Sequence, residues 1–227
     1  MKTNDPNEHQ WVRRAMSLAL VGAALISGSA AADTARDWYV GGNVGQSSNP
    51  IDNGRIVSGI YNGGITTGGD LTVVGISNSD HSTGYRVFGG YQIGPHFAIE
   101  YGYFDLGTLG FTAHTNPAGS LTGALKTHGV LVDALASYPI VEKTSLFVRA
   151  GIAGSKAEAD FSNSGAVRIL HPDYTNSSVG YRIGVGANRQ LGDSFEVRLE
   201  GEDFRLNDAV NHRENIHLIS LGLIFRF

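Results

Sequence analysis

Leu146-Phe147-Val148-Arg149-Ala150-Gly151-Ile152 alternates apolar residues with charged or small ones. Ile219-Ser220-Leu221-Gly222-Leu223-Ile224-Phe225-Arg226-Phe227 does the same near the other end of the chain. Period two belongs to β-strands whose two faces meet different surroundings. Eight segments carry it, near 37–46, 83–93, 97–107, 126–137, 144–156, 178–189, 194–204 and 216–227. Each has about nine to twelve residues, the length a tilted strand needs to cross a bilayer. An even number of strands can close edge to edge and leave no backbone group unpaired. The pattern predicts an all-β fold, an eight-stranded antiparallel up-and-down transmembrane β-barrel.

Composition excludes the competing classes. The 227 residues include 31 glycines, six prolines and no cysteine, with a formal charge of −4; mean hydropathy is −0.08. Glycine stands at about twice its usual share. Without a Gly-X-Y period the chain is not collagen, and 41 % hydrophobic content at low net charge excludes disorder. After residue 32 no run approaches 18 consecutive apolar residues, which excludes membrane-spanning helices. The charge balance gives no footprint for nucleic acid. Without a thiol there is neither a disulfide nor a lipid anchor.

Residues 1–32 read as a segment apart. Arg13 and Arg14 precede an apolar run from Ala15 to Ile26, and small residues follow to Ala30-Ala31-Ala32. A basic start, a short apolar centre and an A-x-A end predict a signal peptide over 1–32, cleaved after Ala32. The barrel domain is then 33–227.

The connections alternate in length. Gly94-Pro95-His96, Pro139 to Lys143 and Gln190 to Asp193 are short, whereas polar stretches near 47–82, 108–125, 157–177 and 205–215 are long. Short turns at one end and long loops at the other are the asymmetry of outer-membrane barrels. In the first long loop, Arg55 to Ile60 and Leu71 to Ile76 are β-prone runs around Asn62-Gly63-Gly64 and Gly68-Gly69, predicting a hairpin that projects outward.

The two faces differ in chemistry. One parity is apolar, with Trp38, Tyr91, Tyr101, Tyr103, Tyr181, Phe195 and Phe225 expected as an aromatic girdle near the segment ends. The other holds many glycines together with Arg86, Glu100, Asp133, Arg149, Arg182, Glu196, Arg198, Glu200, Glu202 and Arg226. A charge facing lipid at the bilayer midplane costs about 2–4 kcal/mol, so these side chains are expected to point inward as an ionic network. A soluble barrel would reverse the faces. The leader, the loop asymmetry and the terminal aromatic favour the membrane.

Trp38-Tyr39-Val40-Gly41-Gly42-Asn43-Val44-Gly45 and the hairpin Gly89-Gly90-Tyr91-Gln92-Ile93-Gly94-Pro95-His96-Phe97-Ala98-Ile99-Glu100-Tyr101-Gly102-Tyr103 resemble OmpA-like outer-membrane proteins. So do Tyr138-Pro139-Ile140, Val197-Arg198-Leu199-Glu200 and Phe225-Arg226-Phe227. The resemblance covers the strands of 33–227 but not the loops. It implies the barrel domain alone, without the peptidoglycan-binding domain that often follows, and a Phe227 read by the barrel-assembly machinery. It places Glu100, Arg149 and Arg198 in an interior salt-bridge network. Leu135 and Asn188 stand where the resemblance implies a lysine and a glutamate, so a gating switch built on that pair does not carry over.

Other chemistry is sparse. His81, His114, His171 and His212 fall in the long stretches without metal-ligand spacing, and no metal or cofactor is expected. His217 and Ser220 have opposite parity, and Asp133 has no histidine of its own parity in its segment, so no catalytic triad is read and no enzyme is expected. The expectation is a small barrel in the outer membrane of a Gram-negative bacterium. It would lie among outer-membrane lipid and lipopolysaccharide, with a structural and surface-interaction role and a lumen largely closed by ionic contacts. An unknown extracellular partner would meet loop 47–82. The alternatives are a narrow porin-like channel for water, ions or small solutes, and a barrel enzyme acting on outer-membrane lipid.

Overall fold

A computed structural model describes residues 37–49, 52–61, 71–169, 173–207 and 213–227. The expected leader lies outside them, as do His171, His212 and the glycine pairs at 63–64 and 68–69. The elements in chain order are β1 (Trp38–Ser48), α1 (Asn53–Tyr61), β2 (Thr72–Ser79), β3 (His81–Ile93), β4 (Phe97–Asn116) and β5 (Gly119–Val141). Then follow β6 (Thr144–Gly165), β7 (Asp173–Gln190), β8 (Phe195–Asn207) and β9 (Arg213–Arg226).

Every strand pairing is antiparallel. β1 pairs with β3 from Trp38↔Tyr91, the chain then meanders through β4 to β9, and β9 returns to β1 from Tyr39↔Arg226 to Ser48↔His217. The β4–β5 pairing completes a ring of eight strands, and β2 alone stands outside it. The short turns sit at Gly94–His96, 142–143 and 191–194. Gly94 has φ +67°, a left-handed conformation that glycine adopts without a Cβ penalty.

Two sequence expectations are corrected at the other end. The stretches 108–125 and 157–177 are mostly wall rather than loop: β4 pairs with β5 out to Thr115↔Gly119, and β6 with β7 out to Asp160↔Asp173. β5 alone has 23 residues, about 75 Å of strand at roughly 3.3 Å per residue, where about 9–11 residues span the bilayer. The polarity of the wall reverses along this extension. In the lower half Val132, Ile152, Leu221 and Leu223 face outward and are exposed, as lipid requires; in the upper half Leu109, Ala113, Leu121, Ala157 and Ala159 are buried inside. Thr108, Thr122, Lys126 and Asp160 face out there, as water requires. A polar outer face made these strands look like loops.

The second correction is the expected hairpin. Residues 53–61 form a helix, and β2 pairs with the upper part of β4, from Thr72↔Asn116 to Ser79↔Gly110. Asp52 Oδ1 accepts the Gly54 N–H at 2.8 Å and caps the helix start. Ile56 and Ile60, one turn apart, bury against Leu71, Ala113, Leu121 and Val167. The helix thereby fills the mouth of the extension. The β3–β4 pairing stops at Asp105, where a bulge through Gly107 (φ +77°) shifts the β4–β5 register and the Gly107 N–H bonds Asp105 Oδ1 at 2.8 Å.

Candidate functional site: a charged plate across the lumen

Strand alternation turns one polar side chain after another toward the barrel axis, and all eight ring strands contribute to one cluster. β1 gives Tyr39 and Asn43, β3 Arg86, β4 Glu100, β5 Asp133, β6 Arg149, β7 Arg182 and Asn188, β8 Arg198, Glu200 and Glu202, and β9 Ser220; all are buried. The register explains how so much side chain fits. Glu100 pairs across strands with Gly90, Asp133 and Arg182 both with Gly151, Glu202 and Arg149 both with Gly184, Glu200 with Gly186, and Arg198 with Gly222. Each of these seven charged chains lies over a neighbour that has none; Arg86 alone pairs with side chains on both sides, those of Asn43 and Phe104. A Cβ on Gly184 would come within 3.1 Å of Arg149 Cγ and 3.2 Å of Glu202 Cγ.

Arg149 is the hub. Its Nη1 lies 3.1 Å from Glu100 Oε2 and 3.4 Å from Asp133 Oδ2, and its Nη2 lies 2.7 Å from Glu200 Oε2. Arg86 reaches Glu200 Oε1 at 2.5 Å and Glu202 Oε1 at 3.0 Å. Arg182 Nε donates to Asp133 Oδ1 at 2.7 Å, and its terminal nitrogens bond Asp133 and Glu202. Arg198 donates to Glu100 Oε1 at 2.6 Å and to Asn188 Oδ1 at 2.9 Å. Tyr39 OH donates to Glu100 Oε1 at 2.9 Å, and Asn43 Nδ2 bonds Glu200. Four guanidiniums face four carboxylates, so the cluster is neutral as a whole.

Apolar side chains cover the plate on both sides. Toward the short turns lie Tyr39, Phe88, Ala98, Leu135, Phe147 and Ile224; toward the outer end lie Phe104, Leu106, Leu131, Phe204, Leu206, Ile216 and Leu218. The rings also meet the cations. Arg86 lies 4.5 Å and Arg198 5.0 Å from the Phe88 centroid, Arg149 5.2 Å from Phe147, and Arg182 5.1 Å from Phe204. Packed this way, the charges are held out of bulk water, where loss of one partner strands another.

Eight of the ten expected network residues meet in this plate. Glu196 and Arg226 form a separate pair at 2.5 Å, with Arg226 4.8 Å from the Tyr39 ring. Leu135 has joined the apolar cover and Asn188 accepts from Arg198, so the two departures from the family pattern are both accommodated. Sequence reading missed Tyr39, Asn43 and Ser220; the polar Asn43 and Ser220 on an inward parity were the available signal. Among the aromatics, Trp38 packs on Tyr91 at 4.8 Å and Phe195 on Phe225 at 5.2 Å near the short turns, while Tyr103 pairs with Tyr85 at 6.3 Å higher up. Tyr181 takes a hydrogen bond from Arg205 at 2.9 Å. Tyr101 sits between the two rows, over Gly89. His81 and His114 are exposed on β3 and β4, and among the described residues no group of three or more His, Asp or Glu side chains is placed to hold a metal.

A family model described as the OmpA-like transmembrane domain matches residues 33–227. The chain belongs to this family. Outer membrane protein A of Klebsiella aerogenes is 29 % identical over 94 % of this chain and 54 % of its own length. The protein of that name from Serratia marcescens is 28 % identical over 94 % and 55 % respectively. The chain thus spans about half the length of the curated relatives it matches. Among solved structures, Neisserial surface protein A covers 86 % of this chain and 100 % of its own, at 10 % identity and a TM-score of 0.48. This OmpA-like barrel belongs to the outer membrane of a Gram-negative bacterium, among its lipid and lipopolysaccharide.

Proposed function

We propose that this OmpA-like barrel is a sealed, structural outer-membrane protein that raises a rigid β-extension above the lipid for contact with the surroundings. The observation that carries the reading is the plate with its two apolar covers. Arg86, Arg149, Arg182 and Arg198 are each paired with at least one carboxylate, and Phe88, Phe104, Phe147 and Phe204 close the lumen below and above them. A permeant ion would have to cross two layers without polar partners, a cost of several kcal/mol for any unpaired charge. The extension supports the surface role, because recognition is commonly carried by loops on a rigid scaffold. A partner would meet the 47–82 region, where α1 and β2 rise from the wall. The aromatic rows fix the barrel's height in the bilayer.

The test is conductance. Purified barrel in planar bilayers is expected to give no resolved channel steps, while migrating faster unheated than boiled on a gel. Steady unitary conductance from the fast-migrating form would replace this reading with the narrow channel.

A further inference from the structure

Among the described residues no serine, histidine and carboxylate share a face within any one strand. Ring closure changes that, because it sets β9 between β8 and β1. His217 on β9 is the cross-strand neighbour of Asp203 on β8 and of Ser48 on β1. All three lie on the outward parity, and His217 and Asp203 are solvent-accessible. Arg226 N–H bonding Ser194 O at 2.8 Å sets the β8–β9 phase, so Asp203 and His217 form a non-hydrogen-bonded pair, the type whose side chains approach more closely. His217 Nδ1 indeed bonds Asp203 Oδ1. An imidazole held at Nδ1 from the β8 side turns Nε2 toward β1, where Ser48 stands.

The height of this row is informative. Directly below His217 on the same face are Ile219, Leu221 and Leu223, all exposed to lipid. Below Asp203 the outward residue is Gly201, where an added Cβ would meet nothing within 4 Å. No packing demand explains a glycine there, and it leaves a shallow recess in the apolar band beneath the polar row. Acyl chains lying in that band bring their ester carbonyls to the boundary where Ser48 and His217 sit.

We propose that Ser48, His217 and Asp203 form a hydrolytic triad on the outer face of the wall, acting on carboxylic esters of acyl lipids in the outer leaflet. Ser48 Oγ attacks the ester carbonyl while His217 Nε2 takes its proton. Collapse of the tetrahedral intermediate breaks the carbon–oxygen bond, and the imidazolium protonates the departing alkoxide. Water then attacks the acyl-serine, giving its proton to His217, and the fatty acid leaves as Ser48 is reprotonated. The net change is ester plus water to acid plus alcohol. Asp203 is a positioning residue, orienting the ring and balancing its charge. His81, the β3 neighbour of Ser48, and Gln46, two residues before it, flank the carbonyl as side-chain donors for the oxyanion.

The experiment uses the folded barrel in phosphatidylethanolamine vesicles, with released fatty acid as readout, and a fluorophosphonate probe that modifies activated serines. The expected result is fatty-acid release together with labelling located at Ser48 by mass spectrometry. Ser48→Ala should abolish both, and His217→Ala should abolish release. Asp203→Asn should lower kcat by roughly a hundredfold or more with KM little changed. Ser48 is half-buried, His217 and Asp203 are solvent-accessible, and none belongs to the plate, so all three variants should keep the fast-migrating gel form, which separates lost chemistry from lost folding. Release by Ser48→Ala equal to that of the unaltered barrel, labelling at another residue, or no release above barrel-free vesicles would each overturn the proposal.

Discussion

Replacing Glu200 by alanine tests whether the plate holds the barrel together. Glu200 accepts from Arg86 at 2.5 Å, lies 2.7 Å from Arg149 and takes an amide hydrogen bond from Asn43. Its removal leaves four guanidiniums against three carboxylates in a space closed by phenylalanine rings. Arg86 keeps Glu202 at 3.0 Å and Arg149 keeps Glu100 at 3.1 Å, so neither cation is wholly abandoned, but one positive charge has no counterpart. Breaking a buried pair from one side costs about 3–5 kcal/mol, and the remaining contacts argue for the lower half of that range. That corresponds to a folded-to-unfolded ratio lower by a factor of roughly 100 to 1,000. Urea unfolding from lipid vesicles, followed by the fluorescence of Trp38 and by gel migration, should show a lower midpoint with an unchanged slope. Removing a cation as well, in Glu200→Ala with Arg86→Leu, should recover part of the loss, since neutrality returns. A Glu200→Ala midpoint equal to the parent's would mean that the plate fills space without stabilising the barrel.

Further outcomes follow from the same geometry. Gly90→Leu should prevent the compact gel form, because a side chain there occupies the volume of the Tyr39 ring, and overpacking of this kind costs about 1–3 kcal/mol or more. Ile56→Asp should expose the extension to protease while leaving the membrane-embedded fragment intact, since Ile56 packs α1 against β4 and β5 and touches nothing in the plate. Above the membrane, the Lys156 ammonium hydrogen-bonds Glu158 and holds its carboxyl below the usual carboxylate range. A depressed carboxyl stabilises the fold above its unfolded value and stops doing so as pH falls through the folded one. Glu158→Gln should therefore cost under about 1 kcal/mol at pH 7, given its exposure, and nothing once the group is protonated in both states; urea titrations at the two pH values check it.

The strands were legible because lipid on one side and a packed lumen on the other force a strict period of two. The upper wall was not, because in water the same period appears with its polarity reversed. Thr108, Thr112 and His114 then read as loop composition, although Leu109 and Ala113 still mark the inner face. The helix was masked by the β-prone run Arg55-Ile56-Val57-Ser58-Gly59-Ile60. The spacing of Ile56 and Ile60 with Asp52 as cap outweighs that local preference. The charged plate was readable residue by residue, since each member sits on the inward parity. Its apolar covers share that parity, so Phe88, Phe104, Phe147 and Phe204 blended into the same face. The row of Ser48, His217 and Asp203 was invisible to any reading along single strands, because only the register across the closure brings it together.

The pairing of β1 with β9 also carries a kinetic meaning. Tyr39 and Arg226 become cross-strand neighbours only after everything between them has been made, delivered and threaded around the ring. Contacts so distant along the chain are slow to form, since the entropy of closing the intervening loop is lost before the contact repays it. Until that seam forms, β1 and β9 would each present a row of bare N–H and C=O groups to hydrocarbon, which no spanning intermediate tolerates. A chain interrupted before β9 therefore has no stable resting place in the bilayer. Insertion and closure are bound into one event, and its timing belongs to the last strand.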